Sequence, residues 1–147
     1  MKQFLLFLFT LTLVLGCNGA KKEAAYECSG FLDQAYEAFS DANYEIRQAR
    51  SSRDWNSTRS HLQRAMSYSR DAEGYLEMAA NIASVYDSEV VGYSKQGIQY
   101  ARDTYNYANQ AYSSTSNTFV EGQTTECQRS ITSGERAVIN AKNYLWY

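Results

Sequence analysis

The 147-residue sequence has no proline, a single histidine, only three cysteines and no dominant sign of charge. A chain of this length would carry about seven prolines at average usage. Their absence argues against a proline-rich linker, a disordered tail and a turn-dense β-sandwich. The lone His61 leaves any histidine-based metal site dependent on carboxylates or a second chain, and its place beside Leu62 suits an ordinary surface or boundary residue. Fourteen Lys and Arg against 16 Asp and Glu give a net charge of −2, which provides no electrostatic footprint for nucleic acid. The eight glycines are scattered and form no phosphate-cradling loop. Glu-x-x-His pairs, a Cys-x-x-Cys-His haem attachment and a nucleophile motif are likewise missing. These absences lead to the expectation of one non-enzymatic domain with no catalytic residue, metal or cofactor.

What is present begins with an export segment. Lys2 precedes an apolar run from Phe4 to Leu15, too short for the roughly 20 residues that span a bilayer and suited to a signal-peptide core. The run ends in Val14-Leu15-Gly16-Cys17, which resembles the lipobox of bacterial lipoproteins. In that family a small residue precedes the cysteine, the cysteine is diacylated, and cleavage makes it the new N-terminus. The resemblance implies a signal peptide at 1–16, a lipid on Cys17 and a short tether over 17–26. It places the protein in the bacterial cell envelope with the membrane as one partner. Asn18, where enteric inner-membrane lipoproteins carry Asp, favours the outer membrane. The competing reading is ordinary secretory cleavage near Gly19 or Ala20. Export puts Cys28 and Cys127 in an oxidising compartment, where they form either a disulfide or two buried thiols packing as small apolar residues.

Residues 27–147 read as an all-α domain. Cys28, Leu32, Ala35, Phe39, Ala42, Ile46 and Ala49 alternate steps of four and three. A second stripe runs Trp55, Thr58, Leu62, Ala65, Ser69, Ala72, Leu76, Ala79, Ala83 and Tyr86. A third runs Val91, Ser94, Ile98, Ala101, Tyr105, Ala108 and Tyr112, and a fourth Cys127, Ile131, Gly134, Val138, Ala141 and Leu145. Four such stripes predict a four-helix bundle with a heptad-like, alanine-rich core. The alternative is three helices, with one long central helix over about 54–112, because heptad spacing continues through Val90, Gly97, Thr104 and Ala111. Ser52 or Asp54 and a turn at Asp87-Ser88 are the expected breaks. Ser113–Thr125 reads as a long loop, with Thr125 and Gln128 as a capping box for the last helix. The acidic series Asp33, Glu37, Asp41 and Glu45 reads as a solvated face.

Two topologies follow. A Cys28–Cys127 bridge needs the Cα atoms within about 7 Å, hence a last helix parallel to the first and a crossover by the 113–125 loop. A simple up-down-up-down bundle instead returns Tyr144-Leu145-Trp146-Tyr147 to the tether end, at the headgroup level that aromatic residues favour. Thirteen tyrosines are the other excess. Tyr86, Tyr93, Tyr100 and Tyr107 recur every seven residues, the last three about 120° from the centre of the Val91–Tyr112 stripe at roughly 100° per residue. They read as boundary packing or as a surface for a protein partner. The leading expectation is a lipid-anchored envelope protein that binds a macromolecular partner without catalysis. The alternatives are an inhibitor or immunity-type lipoprotein neutralising an envelope-acting toxin or enzyme, and a carrier of an apolar ligand.

Overall fold

The computed structural model describes the backbone of residues 2–145 and the side chains of residues 19–145. The expected apolar signal run, the lipid-bearing side chain of Cys17, Trp146 and Tyr147 lie outside them. Four helices occupy the described chain: α1 (Lys2–Ser51), α2 (Trp55–Ala83), α3 (Ser88–Ser113) and α4 (Asn117–Tyr144). Helix α1 is unbroken across residues 17–26, so the segment expected as a tether continues the bundle helix. No helix among the described residues is long and apolar enough to cross a membrane.

Short polar turns set the helix starts. Asp54 accepts a hydrogen bond from the Ser57 amide at 2.8 Å, and Asp87 accepts from the amides of Glu89 and Val90 at 2.9 and 3.0 Å. Each such cap contributes about 1 kcal/mol by satisfying amides that the first turn leaves free. The turn before Asp87 divides α2 from α3 and removes the long-central-helix alternative. Helix α4 starts nine residues earlier than the capping-box reading placed it, with Ser116 rather than Thr125 as N-cap. Thr125 lies inside that helix and its hydroxyl donates back to the Glu121 carbonyl at 2.9 Å. The expected 13-residue loop is thus three residues of turn followed by helix, whose apolar stripe extends backward through Thr124 and Val120.

A three-residue turn forces α4 to run back along α3, which yields the up-down-up-down arrangement. Helix α1 packs on α2, α2 on α3, α3 on α4 and α4 on α1. Cross-helix polar pairs fix the register of α1 against α4. Lys142 donates to Asp33 near one end, and Arg50 Nη1 donates to Gln128 Oε1 at 2.6 Å toward the other. Cys127 therefore stands beside about residue 49 of α1, some 21 residues from Cys28, or roughly 30 Å at 1.5 Å per residue. Both cysteines are free and buried. The expected disulfide is not made, and the crossover it required is replaced by the simple topology.

All the expected stripe residues of α1 from Cys28 to Ala49 are buried, as are Cys127, Ile131, Gly134, Val138 and Ala141 of α4. In α3 the core positions are Val90, Ser94, Gly97, Ala101, Thr104, Ala108 and Ala111. Four of the seven expected stripe positions are therefore shifted by one residue, and Val91, Ile98, Tyr105 and Tyr112 are half-buried at the flank. The reason is size. A Cβ at Gly97 would lie 2.8 Å from Leu76 Cδ1, and one at Gly134 would lie 2.7 Å from Phe39 Cε1. The two glycines are the sockets into which the large side chains of the facing helices fit. Buried Ser69 and Thr104 hydroxyls donate to Ala65 and Tyr100 carbonyls of their own helices at 2.8 Å, leaving no unpaired group at those positions.

Alanine at 134 or at 74 gains the same helix propensity, roughly 1 kcal/mol over glycine. A Cβ at 74 meets nothing within 4 Å. Gly74→Ala is expected to raise unfolding stability by up to about 1 kcal/mol, whereas Gly134→Ala lowers it by about 1–3 kcal/mol through overpacking against Phe39. Urea titration of both variants checks this, and equal shifts would show that Phe39 is not seated against position 134.

Candidate functional site

The heptad tyrosines lie nearer the core than the sequence suggested. Measured from the true α3 stripe, Tyr93, Tyr100 and Tyr107 sit about 70° from its centre at roughly 100° per residue. All three are half-buried, as is Tyr86. Tyr93 packs on Tyr144 with ring centroids 5.5 Å apart, which puts this line of tyrosines on the α4 side of α3. Tyr86 belongs to the α2–α3 turn, and its hydroxyl donates to the Ala24 carbonyl of α1 at 3.3 Å. Two of the four candidate partner-surface residues are thus occupied in joining helices. Tyr100 and Tyr107 keep a solvent-facing edge along the α3–α4 seam.

The two ends of the bundle differ. At the end where α1 enters the bundle, a cleft of about 820 Å³ is lined by Lys21, Lys22, Tyr26, Tyr86, Tyr144 and Leu145, with Asp87 and Glu23 beside them. Tyr26 is 79% exposed and Tyr144 43% exposed. The return of the C-terminal helix to this end agrees with the simple topology. At the far end a second cleft of about 860 Å³ lies between the α1–α2 and α3–α4 turns, with Arg50, Arg53, Asp54, Trp55 and Glu121 on its walls. Close by, the Arg59 guanidinium lies 5.1 Å from the Trp55 ring and 5.6 Å from the Tyr112 ring. That cation–π sandwich ties α2 to α3.

One polar cluster was not foreseen. Glu45, expected on a solvated face, is only 7% exposed. Its Oε2 accepts from Arg64 Nε at 2.9 Å and lies 2.6 Å from His61 Nδ1. The same His61 nitrogen lies 2.7 Å from Arg64 Nη2, so it either donates to Glu45 or accepts from Arg64. The group fastens α2 onto α1 and keeps the buried carboxylate paired. The sequence signal is faint: His61 and Arg64 share one face of α2 at i, i+3, but nothing in α1 marks Glu45 from its acidic neighbours. Among the described residues, no group of three His, Cys, Asp or Glu could hold a metal ion.

The cysteines are packed as core residues. The Cys28 thiol contacts the Ala79 carbonyl at 3.5 Å, and the Cys127 thiol contacts that of Thr104 at 3.6 Å. Burial raises both thiols, Cys28 against the opposing effect of Tyr86, and pushes Cys127 up to about 12. Such thiols stay protonated and poorly nucleophilic at neutral pH. The chain matches no protein-family model, no curated protein and no solved structure.

The raised thiols set a pH dependence. An unfolded cysteine loses its proton near pH 8.5, while folded Cys127 keeps it until about 12. Between those values the native state binds more protons, so unfolding stability is fully present below about pH 8.5 and falls as pH rises. Cys127→Ala is expected to flatten that fall by up to about 1.4 kcal/mol per pH unit, as read by urea titrations from pH 7 to 10. In the unsubstituted protein, Cys28 and Cys127 are expected to resist a thiol reagent until denatured and then to react without added reductant. Two thiols that need reductant would restore the disulfide.

Proposed function

We propose that this is a lipid-anchored protein of the bacterial cell envelope, with the outer membrane favoured, that works by docking a protein partner rather than by catalysis. The observation that carries the reading is the passage of the lipobox-like Val14-Leu15-Gly16-Cys17 directly into an unbroken helix that becomes a bundle wall. A lipid on Cys17 would then be joined rigidly to the domain. Two acyl chains meet the need for stable anchoring, since each buried CH₂ contributes about 0.8 kcal/mol. The docking surface is the α3–α4 seam, where Tyr100 and Tyr107 offer rigid aromatic edges at low entropy cost. The carrier alternative has less support, because Phe39 and Leu76 fill the glycine sockets in the middle of the bundle.

Two expected outcomes test the halves of this reading. Cys17→Ser should abolish incorporation of an alkyne-tagged fatty acid, and label retained in that variant would remove the anchor. Tyr100→Ala should weaken capture of the partner from native envelopes by roughly 30-fold, about 2 kcal/mol for an interface anchor residue, with thermal unfolding unchanged. Undiminished capture would place the docking surface elsewhere.

A further inference from the structure

We propose that the tether end of the bundle is a seat for a phospholipid headgroup layer, and that α1 holds the bundle upright on it. The inference rests on the lipid-anchor reading and adds depth and orientation to it. At 1.5 Å per residue, Lys21 and Lys22 lie roughly 6–8 Å along the helix from Cys17, and Tyr26 about 14 Å. The headgroup layer of one leaflet is about 5–8 Å thick. Acyl chains in the hydrocarbon would put the two lysines at the outer edge of the phosphates and the Tyr26 backbone about 6–9 Å beyond it, with helical side chains leaning back toward the N-terminus and hence toward the bilayer.

The rest of this end lies at the level of Ala24 to Tyr26, facing the headgroup layer from just outside it. Tyr86 from the α2–α3 turn and Tyr144 and Leu145 from the end of α4 line the same open cleft as Lys21, Lys22 and Tyr26. Tyrosine bodies with hydroxyl tips favour the membrane–water interface, and lysine stems reach from apolar surface to phosphate. Both ends pair cations with carboxylates, Lys21 and Lys22 with Glu23 and Asp87 here and Arg50 and Arg53 with Asp54 and Glu121 at the other, but only this end adds exposed tyrosines, whereas Trp55 at the other is covered by Arg59. A flexible tether would let the bundle tumble. Here residues 17–26 are helix continuous with α1, so the lipid fixes the bundle axis and the turns at 52–54 and 114–116 stand roughly 50 Å above the bilayer centre-side of the headgroups.

The test uses the lipidated full-length protein in supported bilayers of phosphatidylethanolamine and phosphatidylglycerol. Its N-terminal peptide mass is measured on the same sample. Neutron reflectometry is expected to show a protein layer about 50 Å thick, and a fluorophore on Glu23→Cys, but not on Arg53→Cys, is expected to be quenched by headgroup nitroxides. An acylated protein giving a layer of about 20–25 Å, the width of two packed helices, or an unquenched Glu23→Cys probe overturns the seat and leaves the anchor standing. An N-terminal peptide without acyl mass removes the anchor and the seat together. Inserting Gly-Gly-Ser-Gly between Ala20 and Lys21 is expected to blur the layer thickness and cut the quenching while leaving the acyl mass. An unchanged layer in that variant would show that the helix does not set the orientation.

Discussion

Phe39 can lie in the middle of the bundle because position 134 has no side chain, and Leu76 can do so because position 97 has none. That exchange of large for small across facing helices sets how closely α1 approaches α4 and α2 approaches α3. Alanine is the commonest residue of the remaining interior, at 35, 42, 65, 72, 101, 108 and 141 among others. An interior of small residues brings helix axes close, and close axes leave little tolerance in register. The seams then receive the residues too large for the centre: tyrosines beside α3, the Arg59 sandwich, and the Glu45 cluster. The ends follow from the same register, since α4 returns to the level of Tyr26 and Tyr86.

Much of this was legible in the residues. The stripes of α1, α2 and the later part of α4 follow the three–four rule closely enough to name most of their buried members, although Trp55, Tyr86 and Leu145 are half-buried and Ala38, Glu45, Ala80, Ser130 and Ala137 are buried beside the stripes. Asp54 and Asp87 mark real helix starts because a carboxylate can satisfy amides that have no other partner. Where the reading failed, side-chain size and polarity misled it. Gly97 and Thr104 look like poor core residues, but the missing side chain at 97 admits Leu76, and the Thr104 hydroxyl is satisfied by the Tyr100 carbonyl. The segment 117–125 is rich in Asn, Thr and Gly, which suggests a loop. Its threonine hydroxyls instead bond back to carbonyls of their own helix, as Thr124 and Thr125 do to Glu121. The continuation of the α4 stripe through Thr124 and Val120 was the available signal.

The disulfide expectation failed for a related reason. Cysteine count and compartment speak to chemistry, whereas pairing depends on topology, and the topology turned on the length of one turn. With three residues between α3 and α4, Cys28 and Cys127 belong to opposite halves of the bundle and serve as small buried side chains. The candidate site was less legible than the fold. Periodicity found the tyrosines, but only the register of α4 shows that Tyr93 is spent on Tyr144 and that Tyr100 and Tyr107 are left at the edge. The pairing of Glu45 with His61 and Arg64 left no trace in spacing, because it depends on how two helices meet.

The direction of α4 against α1 determines the free cysteines, the gathering of Tyr26, Tyr86 and Tyr144 at one end and the half-buried tyrosine seam. Spin labels at Arg50→Cys and Gln128→Cys report it directly, since the native cysteines of the domain are buried. The antiparallel register, in which these side chains hydrogen-bond at 2.6 Å, predicts a distance distribution below about 20 Å. A parallel last helix that brought Cys28 beside Cys127 would separate the labels by about 30 Å or more along the axis, and a distribution centred there would contradict the account.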